Sequence, residues 1–403
     1  MTFRLLLTAA LAATSAFAAP PVAADSIESA LAQGKFNFDA RLRWENADQS
    51  NLRDANAATL RTLFGFTTAP IAGVQGMIQG ENIAVLNDPN DYNAAGTNPG
   101  GAGRTVIADP PATDLNQVWL AYTFSDTTFR VGRQRIVLDN ARFVGDVGWR
   151  QNMQTFDAAT VTATPLSHLT AFYGYVSRVS RVFGNKSPQP DFDSDSHLVN
   201  LAYSGLPGGT LTAYAYLLDF RNSAVNSSDT YGARYAGATP VTTAWKLTYR
   251  AEAATQHDAH NDPVHYHADY YLGEIGAAMA PFTFNAGYEV LGSDHGRKGF
   301  ATPLATLHAF NGWADLFLTT PAAGLRDSYG SVGVALPGGF PVTVVYHRYR
   351  SDFGSHDYGN EWDAVITHKI GKSWTVLAKC ARYDGKPPFF DTDKFWLQTE
   401  YAF

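Results

Sequence analysis

From residue 35 onward the chain alternates apolar and polar residues in one short segment after another. The first segment is the clearest: Phe36, Phe38, Ala40, Leu42 and Trp44 share one face, and Asn37, Asp39, Arg41, Arg43 and Glu45 share the other. The last repeats the pattern, with Phe395, Leu397, Thr399, Tyr401 and Phe403 opposite Lys394, Trp396, Gln398 and Glu400. A period of two puts successive side chains on opposite faces of a strand. Aromatic residues at both ends of the apolar face suit a strand whose outer side meets lipid and whose inner side meets water. Segments of this kind centre on residues 40, 62, 78, 119, 131, 158, 172, 200, 214, 233, 248, 271, 286, 330, 345, 365, 378 and 398. The pattern predicts an all-β transmembrane antiparallel β-barrel of about 18 strands.

The connections alternate in length. Short ones carry turn residues, as in Ala69-Pro70, Ser125-Asp126, Thr164-Pro165-Leu166, Leu206-Pro207-Gly208-Gly209, Ala280-Pro281, Leu336-Pro337-Gly338-Gly339 and Gly371-Lys372. Long polar ones cover 46–57, 86–113, 137–153, 177–196, 221–229, 257–264, 292–323 and 351–358. Short periplasmic turns and long extracellular loops are the rule for membrane barrels, whereas the loops of a soluble sandwich need not sort by end. An even strand count places both termini on the periplasmic side.

Ahead of the barrel, Arg4, the apolar stretch 5–13 and Ala16-Phe17-Ala18 read as a signal peptide over 1–18. The segment 19–34 reads as a periplasmic N-terminal piece, with Ile27, Ala30 and Leu31 on one face of a short helix, and 35–403 as the barrel. Composition agrees with strands: 45% hydrophobic residues coexist with a mean hydropathy of −0.18, so the apolar residues are dispersed rather than grouped into spanning helices. Cys380 is the single cysteine, which rules out an intramolecular disulfide. The formal charge of −7 offers nothing to nucleic acid.

Parity places Arg41, Arg43, Arg61, Arg130, Lys246, Arg250, Lys379 and Lys394 on the lumen side, and Arg142 and Arg150 on a loop able to fold inward. Cations within a low-dielectric wall attract anions, and the planar guanidinium grips carboxylates in pairs. Arg133 and Arg135 share the parity of Phe129 and Val131, so their use as pore-lining residues requires a bulge at Gly132. Parity also sends Asp39, Glu45, Glu81, Asp157, Glu252, Glu289, Glu361, Asp363 and Glu400 inward. Two readings follow: an anion pathway, or a lattice of cross-strand ion pairs.

The histidines at 257, 260, 265 and 267 have metal-compatible spacing, but a solvated loop explains them as well. Asp191, Asp193 and Asp195 start like a calcium loop, yet Ser196 stands where glycine is needed. No metal or other cofactor is expected. Acidic loops of this kind are expected either to hold divalent ions loosely or to meet lipopolysaccharide. No nucleophile motif such as G-x-S-x-G is present, and the chain reads as a non-enzyme.

Three stretches resemble the alginate export family: 26–45, SIESALAQGKFNFDARLRWE; FRVGRQR at 129–135 with the following 139–145; and HAFNGWADLFLTTPAAGLRDSY at 308–329, the most specific of them. The terminal Tyr401-Ala402-Phe403 resembles the signal read by the outer-membrane assembly machinery. The resemblance implies a monomeric eighteen-stranded porin of the bacterial outer membrane, in contact with lipid and lipopolysaccharide, that passes a polysaccharide or related solute. An exporter would also meet periplasmic export partners. The function expected is passive passage of an alginate-like polysaccharide or small anionic solute. A porin for small organic or aromatic compounds, and a plugged barrel acting as a surface binding protein, stand as alternatives.

Overall fold

A computed structural model of the protein describes residues 24–403. The signal-peptide reading of 1–18 lies outside the described residues. One short helix, α1 (Ile27–Ala32), precedes eighteen strands. These are β1 (Lys35–Gln49), β2 (Ala55–Thr67), β3 (Val74–Val85), β4 (Ala112–Phe124), β5 (Thr127–Gln134), β6 (Thr155–Leu166), β7 (Leu169–Ser180), β8 (Asp191–Leu206) and β9 (Gly209–Leu218). There follow β10 (Ser228–Pro240), β11 (Lys246–Asp258), β12 (His267–Met279), β13 (Phe282–Leu291), β14 (Leu325–Leu336), β15 (Phe340–Arg350), β16 (Asp357–Ile370), β17 (Trp374–Gly385) and β18 (Thr392–Ala402).

Every strand pairs antiparallel with its sequence neighbours, and β1 pairs with both β2 and β18, so the sheet closes on itself. Closure satisfies every strand edge, which a sheet facing hydrocarbon requires. Each of the eighteen predicted centres falls inside a strand. Among the described residues no helix is long and apolar enough to cross a membrane.

The faces sort as the alternation demands. Phe36, Leu42, Trp44, Ile78, Leu120, Val131 and Leu397 are exposed on the outside, while their strand neighbours Arg41, Arg43, Gln79 and Trp396 are buried within. Short turns gather at one end of the barrel and long loops at the other, because consecutive strands are joined in sequence. At the short-turn end α1 is held against the β2–β3 connection: Ala24 donates to the Pro70 carbonyl, and Ala69 donates to the Ala30 carbonyl. Of the expected helix face only Ala30 is covered; Ile27 and Leu31 remain exposed.

Some boundaries move. The first long connection contracts to 50–54, because β1 and β2 run on together as far as Ala47 opposite Ala55. Asp191, Asp193 and Asp195 lie in β8 rather than in a loop. Their neighbours are Arg178, Arg221 and Arg221 respectively, which supply the opposite charge that a calcium ion would have supplied.

Candidate functional site

The loops 86–111, 135–154 and 292–324 turn back into the barrel and pack on its inner wall. Register explains where they are caught. Arg41 lies directly opposite Glu400 on one side and Arg61 on the other. Two guanidiniums facing each other repel, and Glu400 relieves this by accepting from Arg41 at 3.1 Å and from Arg61 at 3.1 Å. Asp39 adds a second carboxylate to Arg61 at 2.7 Å. The remaining donors of Arg41 reach the Gly148 carbonyl at 2.9 Å, and Arg43 donates to the Trp149 carbonyl at 2.6 Å.

Four wholly or nearly buried charges then fix the loops to one another and to the wall. Arg43 meets Asp109 of the first loop at 3.4 Å and stacks over Trp149 of the second at 4.1 Å. Arg150 bridges Glu45 of β1 at 3.3 Å and Asp315 of the third loop at 2.6 Å. Arg142 donates to Glu289 of β13 at 2.7 Å and also meets Thr302 and Asn311. Asp315 gathers Arg150, His308 at 2.7 Å and Lys394 at 2.9 Å. The second and third loops also share backbone hydrogen bonds, Gly145 to Leu304 and Thr306 to Ala141.

Burial alone would discharge these groups; their partners reverse that. Burial lowers Arg142, but the Glu289 charge holds it above its ordinary value. Arg150 is likewise disfavoured by burial and raised overall by Glu45 and Asp315. For Asp315 burial opposes ionisation, and His308, Lys394 and Arg150 bring it well below the usual carboxylate range. His308 goes the other way: burial keeps it neutral, well below the ordinary imidazole value, despite Asp315 beside it.

Apolar packing completes the plug. Phe143 sits among Tyr214, Tyr216, Tyr270 and Phe300 with ring centroids 5.2–6.0 Å apart. Aromatic pairs at such spacing contribute about 0.5–1.5 kcal/mol each beyond their area.

Of the predicted site residues, then, Arg41, Arg43, Arg61, Arg142 and Arg150 converge, but in a neutralised lattice. Arg250 faces the lumen and pairs with Glu274 at 2.8 Å. Lys246 has the inward parity and is exposed at the short-turn end. Arg130 differs from all of these. Its guanidinium lies 4.4 Å over the Trp119 ring, and among the described residues it makes no ion pair and its Nε has no hydrogen-bond partner.

Arg133 and Arg135 do not line the wall. The ladders on both sides of β5 run through Gly132 without a register shift, so Arg133 keeps the outward parity of Phe129 and Val131. Gly132 has a φ of +122°. A side chain there would collide with the Val118 carbonyl of β4, so the glycine answers a close approach and not a bulge. Arg133 instead makes a two-pronged pair with Asp157 at 2.7 and 2.9 Å. That also moves Asp157 outward, beyond Phe156 and Ala158, which are buried within. Arg135 lies past the end of β5 and pairs with Asp146 of the second loop.

Several inner residues were not singled out from sequence. Arg234, paired with Asp139 at 3.4 Å, shares the parity of Thr230 and was readable. Asp109, Trp149, His308, Trp313 and Asp315 sit in loops, where no periodicity marks them. Among the described residues no group of three His, Cys, Asp or Glu side chains is placed to hold a metal ion.

A family model described as alginate export matches residues 32–258. Among solved structures, Pseudomonas aeruginosa OccK9 (OpdG) superposes with a TM-score of 0.74 at 14% identity, covering 93% of this chain and 99% of its own. Pseudomonas aeruginosa OpdK with vanillate gives 0.71 at 17% identity, with 93% and 99% covered. Acinetobacter baumannii OccAB3 gives 0.74 at 13%, with 92% and 99% covered. Among curated proteins, none matches the chain at the sequence level.

Proposed function

The chain belongs to the alginate export family and is a channel of the bacterial outer membrane, and from that premise we propose that it passes carboxylate-bearing solutes, of the uronate-polysaccharide or small-anion class, by passive diffusion. The short turns face the periplasm and the long loops the exterior, as in outer-membrane barrels generally. The barrel works as a monomer, with lipid and lipopolysaccharide around it.

Arg130 is the observation that carries this reading. The other arginines on the inner wall have carboxylates of their own, so their fields largely cancel. Arg130 presents an uncompensated charge on an indole face. A uronate matches this group: its carboxylate answers the guanidinium that the buried indole holds in place. Lys246 at the short-turn end adds a second cation without an ion-pair partner among the described residues, and Arg250 a third that a stronger anion can share with Glu274.

Current block tests the proposal. Oligouronate added to either side of a planar bilayer should reduce conductance through the wild-type channel, and neutral oligosaccharide of equal length should not. Equal block by both, or block unchanged in Arg130→Gln, refutes it.

A narrower substrate class has its own support. Phe143 and its four aromatic neighbours pack on one another at the inner wall, a lining that favours small aromatic acids over a polymer chain, and the similar OpdK structure is one with vanillate. Block by aromatic carboxylates without block by oligouronate selects this second reading.

A further inference from the structure

The outer rim at the long-loop end carries its arginines in a specific arrangement. Arg326 of β14 lies directly opposite Arg350 of β15. Both point outward: their neighbours Leu325 and Tyr349 are buried inside the barrel, and both arginines are exposed. Arg348, two residues below Arg350, has the same outward parity. Like charges directly opposite each other destabilise a ladder unless an anion lies between them. The available carboxylates are only partly sufficient. Asp352 takes Arg326 at 2.9 Å and Asp357 takes Arg348 at 2.5 Å. Asp357 stands opposite Arg350 on the β16 side but is engaged by Arg348, and among the described residues no carboxylate lies within ion-pair distance of Arg350. On the next strand but one, Arg382 stands 3.9 Å from Asp384.

Depth is given by the aromatic residues below. Tyr346 and Trp362 pack on the outer wall with centroids 4.8 Å apart and ring planes tilted by 48°. Amphipathic rings of this kind mark the boundary between hydrocarbon and headgroups. Arg348 and Arg350 lie two and four residues further along β15, about 7 and 13 Å along the strand. With the strand tilt of a membrane barrel, this puts their guanidiniums at headgroup level.

Beside the arginines lies a cleft of about 750 Å³. It opens on the outer side of β12–β14 and is lined by His267, Asp269, Tyr271, Tyr288, Arg326 and Asp352. Tyr271 and Tyr288 are exposed on that wall. Arg326 is thus both a wall of the cleft and the first member of the arginine group.

We infer that this rim is a binding site for one lipid of the outer leaflet, a glycolipid with a phosphorylated sugar headgroup. Its phosphate sits between Arg326, Arg350 and Arg348, where it removes the like-charge conflict. Its sugar occupies the cleft, where tyrosine rings and carboxylates suit hydroxyl-rich faces. Its acyl chains run down past Tyr346 and Trp362. The inference rests on the assignment of the long-loop end to the cell exterior.

The test is native mass spectrometry of the full-length protein in mild detergent, with diphosphorylated lipid A, its dephosphorylated form and inorganic phosphate as probes. Lipid A adducts are expected on the wild type, reduced about 10-fold or more in Arg348→Ser/Arg350→Ser and in Arg326→Ser/Arg350→Ser. The control Arg221→Ser, in the β9–β10 connection five strands away along the rim, should keep them. Unchanged gel mobility without heating, and unchanged conductance, show that the variants fold. Equal retention by the double variants, equal binding of dephosphorylated lipid, or displacement of lipid A by millimolar inorganic phosphate overturns the inference. An epitope inserted after Lys186 and stained on intact cells checks the side assignment by itself. An epitope hidden there overturns the outer-leaflet identity of the ligand but leaves the channel reading to the conductance data.

Discussion

The ammonium of Lys379 donates to Nε2 of His308 at 2.7 Å, while Nδ1 of the same ring donates to Asp315 at 2.7 Å. One imidazole therefore acts as acceptor and donor at once, which only the neutral ring with its proton on Nδ1 can do. Burial keeps His308 in that form. The ammonium is not left bare: Trp313 and Trp149 lie 3.7 and 4.1 Å from it. Through this relay the third loop is fastened to β17, and through Asp315 to Arg150 and to Lys394 of β18.

Asp315→Asn removes the carboxylate and leaves Arg150 and Lys394 with a buried charge less well matched. Loss of one partner from a buried ionic group costs about 3–5 kcal/mol. The cost falls on the loop, because the barrel's own ladders are untouched. Single-channel recordings should show larger and noisier openings, and limited proteolysis should cut within 292–324 while the barrel resists heat and detergent as before.

Acid should loosen the same loop. His308 is depressed in the folded state, so the unfolded loop binds its proton first. Stability from this group is full above the ordinary imidazole value of about 6.5 and is lost as pH falls below it. Asp315 is also depressed, so its contribution is full above about 4 and is lost on further acidification. Both slopes have the same sign. Conductance followed from about pH 8 to about pH 2 should rise as pH drops, and His308→Asn should remove the rise that begins below about 6.5 while leaving the one that begins below about 4.

Arg133 faces outward against Asp157, so it should have no voice in selectivity. The pair is about a quarter to a third exposed, with side-chain exposures of 24% and 30%, and such pairs contribute about 1 kcal/mol or less. Arg133→Ala/Asp157→Ala should therefore leave the reversal potential in a salt gradient unchanged and shift thermal stability only slightly. A clear change in selectivity would place Arg133 in the pathway after all.

The fold was legible because a lipid-facing strand must alternate at every position, and β1 and β18 do so without a break. Arg41, Arg43, Arg61, Arg130 and Arg250 lie on the inward parity of their strands. Parity misplaced Asp157, which stands outward between the buried Phe156 and Ala158 on an unbroken alternation of β6; the small and polar residues of 155–164 give the two faces of that strand little contrast in sequence. It also left Arg133 undecided, since a glycine in a strand marks either a bulge or a close approach. The plug was hidden for a different reason. His308, Asp315, Trp149 and Asp109 come together from three loops far apart in sequence, and nothing in an aperiodic loop shows whether it folds out into water or back into the barrel.

The most direct measurement is the reversal potential of the reconstituted channel under a KCl gradient, for wild type and Arg130→Gln. A unit charge about 15 Å from a passing ion, at an effective dielectric of about 20, biases it by about 1 kcal/mol, or roughly five-fold. The account predicts open channels with anion preference in the wild type, reduced by about that factor in the variant. A barrel that conducts nothing, or an anion preference that survives unchanged in Arg130→Gln, would contradict it.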